Sequence, residues 1–303
     1  MRWQILEAAA QIDGLTDVSV MCMEEIDPVE MAVLVEHRVV TPELCERGRG
    51  GALILASSNE LSVMVNEEDH VRIQSLSPGL DLAEAWDRVR AVERALDHRL
   101  SFAFDPELGY LTSCPSNIGT GLRASVMLHL PCLVLSGRIQ GIGNSMQKLG
   151  FAIRGALGER RETFGELFQF SNQSTLGQTE AEVIHELERY IRVITTAEED
   201  ARRWMLAHAA SQIADQIARA FGLLANAWKL TATEALGALS MLMLGVQTNM
   251  VKGISGTRIV QLMHTVQSGS MQLSEGTEIA PDRRDFLRAR TLRKTLSQLA
   301  VVE

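Results

Sequence analysis

Three stretches of this chain crowd reactive side chains into a few residues. The first is Val65-Asn66-Glu67-Glu68-Asp69-His70-Val71-Arg72. Three acids follow a strand-like run, and an arginine comes close behind. Like charges this close repel, so the cluster calls for cations. A guanidinium suits it best, because its planar N–H fork matches two carboxylate oxygens. The second stretch is Leu111-Thr112-Ser113-Cys114-Pro115-Ser116-Asn117-Ile118-Gly119-Thr120-Gly121-Leu122-Arg123. Backbone N–H groups in such a turn can cradle an anion, and a thiol near arginines ionises more readily. The third is Arg154-Gly155-Ala156-Leu157-Gly158-Glu159, where two glycines bracket a segment ending in a carboxylate. That suits a loop that closes over a substrate. Taken singly, each stretch also reads as ordinary structure: a solvated acidic turn, a structural cysteine beside a turn, a surface loop.

These residues need a scaffold, and the pattern around them supplies one. Ala52-Leu53-Ile54-Leu55, Leu61 to Val65 and Val71 to Leu76 read as strands. Residues 81 to 99 read as an amphipathic helix, with Leu82, Ala85, Trp86, Val89, Val92 and Leu96 on one side. Phe102 to Phe104, Tyr110 to Thr112, Arg123 to Leu130 and Glu166 to Phe170 read as further strands. Residues 1 to about 45 read as helices and turns, with Glu24-Glu25-Ile26-Asp27-Pro28 as a helix start. Beyond residue 178 helical periodicity dominates. The strands cluster without regular βα alternation. The expected fold is therefore α+β, a mostly antiparallel sheet flanked by helices, followed by an all-helical C-terminal domain. The boundary falls within helix, giving domains 1–205 and 206–303.

Composition narrows the field. The chain has 303 residues, 46% hydrophobic and 22% charged, which is ordinary for a globular protein. Its formal charge of −9 is a poor electrostatic match for nucleic acid. Four cysteines, Cys22, Cys45, Cys114 and Cys132, form no CxxC pair, so a zinc site is not expected. Free thiols and the lack of a signal-peptide pattern point to the cytoplasm. Ala232 to Val251 is the most apolar segment, but it contains Glu234 and Gln247 and reads as a buried helix rather than a membrane span.

In order and spacing the three stretches resemble the phosphagen (ATP:guanido) kinase family: NEEDH then Arg, CP-[ST]-N-x-G-T-x-x-R, and R-G-x-x-G-E. Phe104-Asp105-Pro106-Glu107-Leu108-Gly109-Tyr110, Leu128-His129-Leu130-Pro131 and Ser171-Asn172-Gln173-Ser174-Thr175-Leu176-Gly177 add to the likeness, which covers nearly the whole chain. The chain is most similar to the bacterial branch that phosphorylates protein arginines. The resemblance implies a catalytic domain of the phosphagen kinase, glutamine-synthetase-like type. It implies that Glu68 grips the substrate guanidinium, that Glu159 shares that task, and that Cys114 is the reactive cysteine beside it. Arg72, Arg123 and Arg154 would clamp the ATP phosphates, with His70 on the nucleotide side. Mg2+ would ride mainly on the phosphates, with Glu67 a more distant contact, so no metal-ligating cluster is expected. Arg284-Asp285-Phe286-Leu287-Arg288-Ala289 matches that branch's R-D-x-x-R-A motif, implying a phosphoarginine-binding site at Arg284, Asp285 and Arg288.

By the same resemblance the expected partners are protein substrates with exposed arginines, a zinc-binding activator protein, an AAA+ protease complex and a heat-shock repressor. Substrates would be marked for degradation. A homodimer is a further expectation; direct nucleic-acid or membrane binding is not. One departure stands out. The family's S-x-R-x-R segment has no counterpart ahead of the first helix. Either the native protein is longer, the reading preferred here, or nucleotide binding is weakened. Two other functions compete. A phosphoarginine-binding adaptor would bind without turnover. A small-molecule guanidino kinase would let free arginine compete with protein.

Overall fold

The computed structural model describes residues 1–12, 15, 17–155, 165–297 and 300–301. The chain divides into two compact units, Met1–Ala124 with Asn172–Glu188, and Ser125–Ser171 with Arg189–Glu303.

In the first unit, α1 (Arg2–Ala9) leads to β1 (Val18–Cys22), then α2 (Pro28–Glu36) and α3 (Pro42–Arg47). Both α2 and α3 begin with proline in the first turn, after a side-chain cap from Asp27 and Thr41 respectively. β2 (Ala52–Ala56), β3 (Leu61–Val65) and β4 (Val71–Ser75) follow, then α4 (Leu82–Asp97) and the two-residue strands β5 (Phe104–Asp105) and β6 (Gly109–Tyr110). The sheet runs β1-β2-β3-β4 with every neighbour antiparallel. Successive side chains on a strand point to opposite faces. Ile54 and Val63 accordingly pack with Ala8, Ala9, Val92 and Leu96 on one face. Leu53, Leu55 and Met64 pack with Met23, Val39, Val40 and Leu44 on the other. A run such as Ala52-Leu53-Ile54-Leu55 is unbroken because both faces are covered.

The structure differs from the sequence expectation at β1, which falls where only helices and turns are read. Val18-Ser19-Val20-Met21-Cys22 is an edge strand, and Val20 is 55% exposed. It lacks the continuous apolar run that marks β2 and β3. The strands expected around Phe104 and Tyr110 are shorter, because Asp105 accepts from the N–H groups of Glu107 and Leu108 and tightens the turn.

The second unit opens with β7 (Ser125–His129), α5 (Pro131–Leu135), α6 (Ile139–Lys148), β8 (Phe151–Arg154) and β9 (Leu167–Asn172). The strand order is β7-β9-β8, and β7 and β9 are antiparallel, with His129 opposite Leu167. α7 (Glu180–His208) has 29 residues and contains the expected boundary at 205; its residues through Glu188 group with the first unit. Then come α8 (Ala210–Asn226), α9 (Ala232–Gln247), β10 (Val251–Lys252), α10 (Gly256–Thr265), α11 (Ser268–Glu275), α12 (Pro281–Leu296) and β11 (Ala300–Val301). α9 starts at a reciprocal capping box between Thr231 and Glu234 and buries Leu236, Leu239, Leu242 and Leu244. Among the described residues no helix is long and apolar enough to cross a membrane.

A buried acid, a half-buried acid and a half-buried histidine stand out in this unit. Glu198 on α7 accepts from the N–H groups of Cys132 and Leu133, each at 2.9 Å. Burial raises its carboxyl, partly offset by those donors. Burial beside Glu198 also pushes the Cys132 thiol up to about 12. Glu166, ahead of β9, is likewise raised by burial. His129 is pushed down to about 4, chiefly by burial and then by the charge of Arg202. The unfolded chain, with its histidine near 6.5, binds the proton first. The stability His129 contributes is therefore complete above about pH 6.5 and is lost as pH falls toward 4. Urea midpoints followed by circular dichroism at pH 7, 6 and 5 should fall more steeply in the native chain than in His129→Gln.

Candidate active site

β3 ends at Val65 and the chain turns at once. Asn66 takes a left-handed φ of 56°, which asparagine tolerates better than most residues. Its N–H donates to the His70 carbonyl at 3.0 Å, and its side chain donates to the Gly50 carbonyl at 2.8 Å. The turn faces Glu67 inward and Glu68 outward. Glu67 is 2% exposed. Its Oε1 accepts from Thr41 Oγ1 at 2.7 Å and from Arg72 Nη1 at 3.4 Å, and its Oε2 accepts from the Glu68 N–H. A buried carboxylate is tolerated only when it is bonded and paired in this way. Thr41 Oγ1 also accepts from Leu44 N–H at the head of α3, so one hydroxyl joins the helix cap to the acidic turn.

The loop carrying Cys114 lies against this turn. Asp69 Oδ1 accepts from the Ser113 N–H at 2.6 Å, and Asn117 Nδ2 donates to Glu68 Oε2 at 3.3 Å. Cys114 Sγ is 3.0 Å from Ser116 Oγ, and Thr112 Oγ1 donates to the Cys114 carbonyl at 2.7 Å. Two polar residues hold the loop from behind. Asn172, 7% exposed, accepts from the Ala124 N–H at 2.8 Å and donates to the carbonyls of Leu122 and Ser174 at 2.9 Å each. It therefore fixes the backbone on both sides of Arg123. Thr175 Oγ1 donates its one hydrogen to the Ile118 carbonyl at 2.7 Å and lies 3.1 Å from the Ser116 carbonyl, which can share it. Gly119, at a φ of 114°, lies so close that a Cβ there would overlap the Thr175 carbonyl. Sequence reasoning quoted Asn172 and Thr175 within a motif but gave them no role. Their only signal was polarity just past the apolar strand Leu167-Phe168-Gln169-Phe170.

The first unit thus gathers Glu68, Cys114, Arg72, His70 and Arg123. Glu68, His70 and Arg123 are exposed, and the Arg72 side chain is 40% exposed with only Nη1 engaged. Arg154 lies at the exposed end of β8 in the second unit. Glu159 lies outside the described residues. In the C-terminal motif, Arg288 is 1% exposed and donates to the carbonyls of Val266 and Leu230 and to Asp285 Oδ1. Arg284, half-buried, donates to Gln272 Oε1 and the Ile279 carbonyl. Arg288 thus ties α12 to its neighbours, and Arg284 and Asp285 are the more open members.

An accessible carboxylate and a part-exposed thiol on abutting loops suit a guanidinium. Accessible arginines in the same unit suit an anion such as phosphate, and Arg72 keeps N–H groups beyond the one it gives to Glu67. Among the described residues no group of three or more His, Cys, Asp or Glu side chains is placed to hold a metal ion.

The model of the ATP:guanido phosphotransferase C-terminal catalytic domain matches residues 2–201. That of the protein-arginine kinase McsB C-terminal domain matches residues 210–302. The chain is 41% identical over 279 residues to the protein-arginine kinase of Brevibacillus brevis, covering 92% of this chain and 78% of that protein. It is 40% identical over 292 residues to that of Moorella thermoacetica, covering 96% and 83%. Among solved structures it is similar to the duplicated taurocyamine kinase of Schistosoma mansoni with transition-state-analogue components (TM-score 0.61, 24% identity, 71% of this chain), spanning 32% of that longer chain. It is also similar to lombricine kinase (TM-score 0.55, 23% identity, 65% of this chain), spanning 58% of it. These structural likenesses speak to the fold alone.

Removing the Asn172 amide would leave the Leu122 carbonyl and the Ala124 N–H without that partner. Asn172→Ala should cost about 3 kcal/mol, read as a lowered urea midpoint. Asn172→Asp, which keeps the acceptor for Ala124 but turns a carboxylate oxygen on the carbonyls of Leu122 and Ser174, should recover none of it.

Proposed function

This chain belongs to the ATP:guanido phosphotransferase family, in its protein-arginine kinase branch, and from that premise we propose that it phosphorylates arginine side chains of other proteins with ATP. The observation that carries the reading is the meeting of Glu68 with the Cys114 loop through Asn117, next to an arginine anchored by the neighbouring acid.

The residues divide the work as follows. Glu68 receives the substrate guanidinium on its carboxylate, and Asn117 fixes that carboxylate's orientation. The carboxylate then takes the proton that the attacking nitrogen must lose. Cys114 adds a polarisable sulfur at the same face. Arg72, held through Nη1, turns its remaining N–H groups to the phosphates, and Arg123 does the same from a backbone braced by Asn172. ATP would supply the phosphoryl group and leave as ADP, with Mg2+ offsetting the phosphate charge. Orientation is set during folding, so little is left to arrange at the moment of reaction. Glu159 as the second carboxylate, and Arg154 and His70 toward the nucleotide, complete the proposed set.

We further propose that Arg284 and Asp285 form the open part of a phosphoarginine-binding site, with Arg288 as its buried support. In this reading the modification marks cytoplasmic proteins for an AAA+ protease. A heat-shock repressor would be among the targets, and a zinc-binding protein would be the activator.

The chain should be mixed with Mg-ATP and a loosely folded, arginine-rich protein, and acid-labile phosphoarginine sought by mass spectrometry. Glu68→Gln should lower the rate by more than about 100-fold. Free arginine in excess should not compete; competition would instead indicate a small-molecule guanidino kinase. Phosphoarginine binding without any turnover would replace the kinase by an adaptor.

A further inference from the structure

The second unit contains a buried polar contact that the phosphoryl chemistry does not use. Ser240 lies in the middle of α9 and is wholly buried among leucines, methionines and alanines. Its Oγ is 2.8 Å from Nε2 of His129, the last residue of β7. The same hydroxyl bonds the carboxylate of Glu166, just ahead of β9. Glu166 takes a left-handed φ of 53°, uncommon for such a side chain, and its carbonyl accepts from the Leu130 N–H at 3.0 Å. Gly165, at a φ of 56°, sits so close to α9 that a Cβ there would crowd the Leu236 carbonyl and the Ser240 side chain. The head of β9 is thus pressed onto the backbone of α9 and bonded to it by one serine.

Counting hydrogens fixes the direction of the contact. The serine hydroxyl has one hydrogen. Given to the Glu166 carboxylate, it leaves Oγ to accept from His129 Nε2–H. The ring is then neutral, with Nδ1 bare. His129 Nδ1 and Glu166 Oε2 are both buried without a hydrogen-bond partner, so this arrangement leaves two bare acceptors and no buried unpaired N–H on the ring. The cation facing His129 is Arg202 of α7, which also disfavours a charged ring. A serine with no exposure is out of reach of any substrate, so a nucleophilic role is excluded.

We propose that the Glu166–Ser240–His129 contact is a positioning device for phosphoryl transfer, through which α9 of the C-terminal segment sets the head of β9. The proposal rests on the kinase reading above. β9 is six residues long, about 20 Å, and its pairing with β7 makes it stiff. Its last residue is Asn172, whose side chain fixes the backbone on both sides of Arg123. A displacement at the head of the strand is carried along the chain to that brace. Misplacing a catalytic group by about 1 Å can cost about 100-fold in rate. The three side chains come from the segment matched by the catalytic-domain model and the segment matched by the C-terminal-domain model.

Four chains test it: native, Ser240→Ala, His129→Leu and His129→Gln, whose amide reaches the position of Nε2. Ser240→Ala and His129→Leu should lower kcat about tenfold or more while KM for Mg-ATP stays within about twofold. His129→Gln should recover most of kcat. Nitrogen-15 spectra of the native ring should show the neutral Nε2–H tautomer, lost in Ser240→Ala. An unchanged kcat in Ser240→Ala would overturn the proposal. Equal losses in His129→Gln and His129→Leu would also overturn it, since they would indicate packing alone. If the native chain makes no phosphoarginine, the kinase reading falls; the spectrum then decides the contact, an Nε2–H ring supporting it and an Nδ1–H ring refuting it.

Discussion

The carboxylate of Glu67 sits between a helix cap, a backbone amide and a guanidinium, and each of the three depends on it. Burying an acid is costly, so this one is worth keeping only for what it arranges. Thr41 ties it to α3. The Glu68 amide ties it to the residue that faces outward. Arg72 ties it to β4. One interior charge thereby sets an acidic group and a basic group at a fixed spacing on an otherwise ordinary β-hairpin. The sequence reading gave Glu67 a distant role beside magnesium; its burial and bonds give it the further role of organising its neighbours.

A second support comes from far along the chain. Asn172 and Thr175 carry no chemistry, yet their side chains satisfy the backbone of the Cys114–Arg123 loop. Loops of this kind hold reactive residues in shape only when their backbone groups find partners. The proposed site therefore rests on one buried acid in front and two neutral polar residues behind.

Much of this was legible in the sequence. β2 and β3 announced themselves as apolar runs, α4 by its one-sided pattern, and α2 by Asp27-Pro28. Residue types alone left the stretches of Glu68 and Cys114 ambiguous, and their roles came from the family resemblance; the structure brings their loops together. β1 was not legible, because an edge strand half open to solvent has no strong pattern. Nor was the inward turn of Glu67, since two adjacent glutamates look alike until a left-handed Asn66 sends them to opposite sides. At Arg284 and Arg288, helical spacing placed both arginines on one side but said nothing of depth. Arg288 lies inside because the Leu230 and Val266 carbonyls take its donors.

The fit of Gly119 against Thr175 also bears on the order in which the molecule is made. The loop around Cys114 bonds to Thr175 across 55 to 59 residues of chain. Such distant contacts form late, since a long closure must be completed before any of them forms. During synthesis the acidic turn at Glu67 and the helix cap at Thr41 can close early, whereas the cysteine loop must wait for residue 175. A nascent chain halted before that point would carry its thiol on an unbraced loop, with the rest of the hairpin sheet already complete.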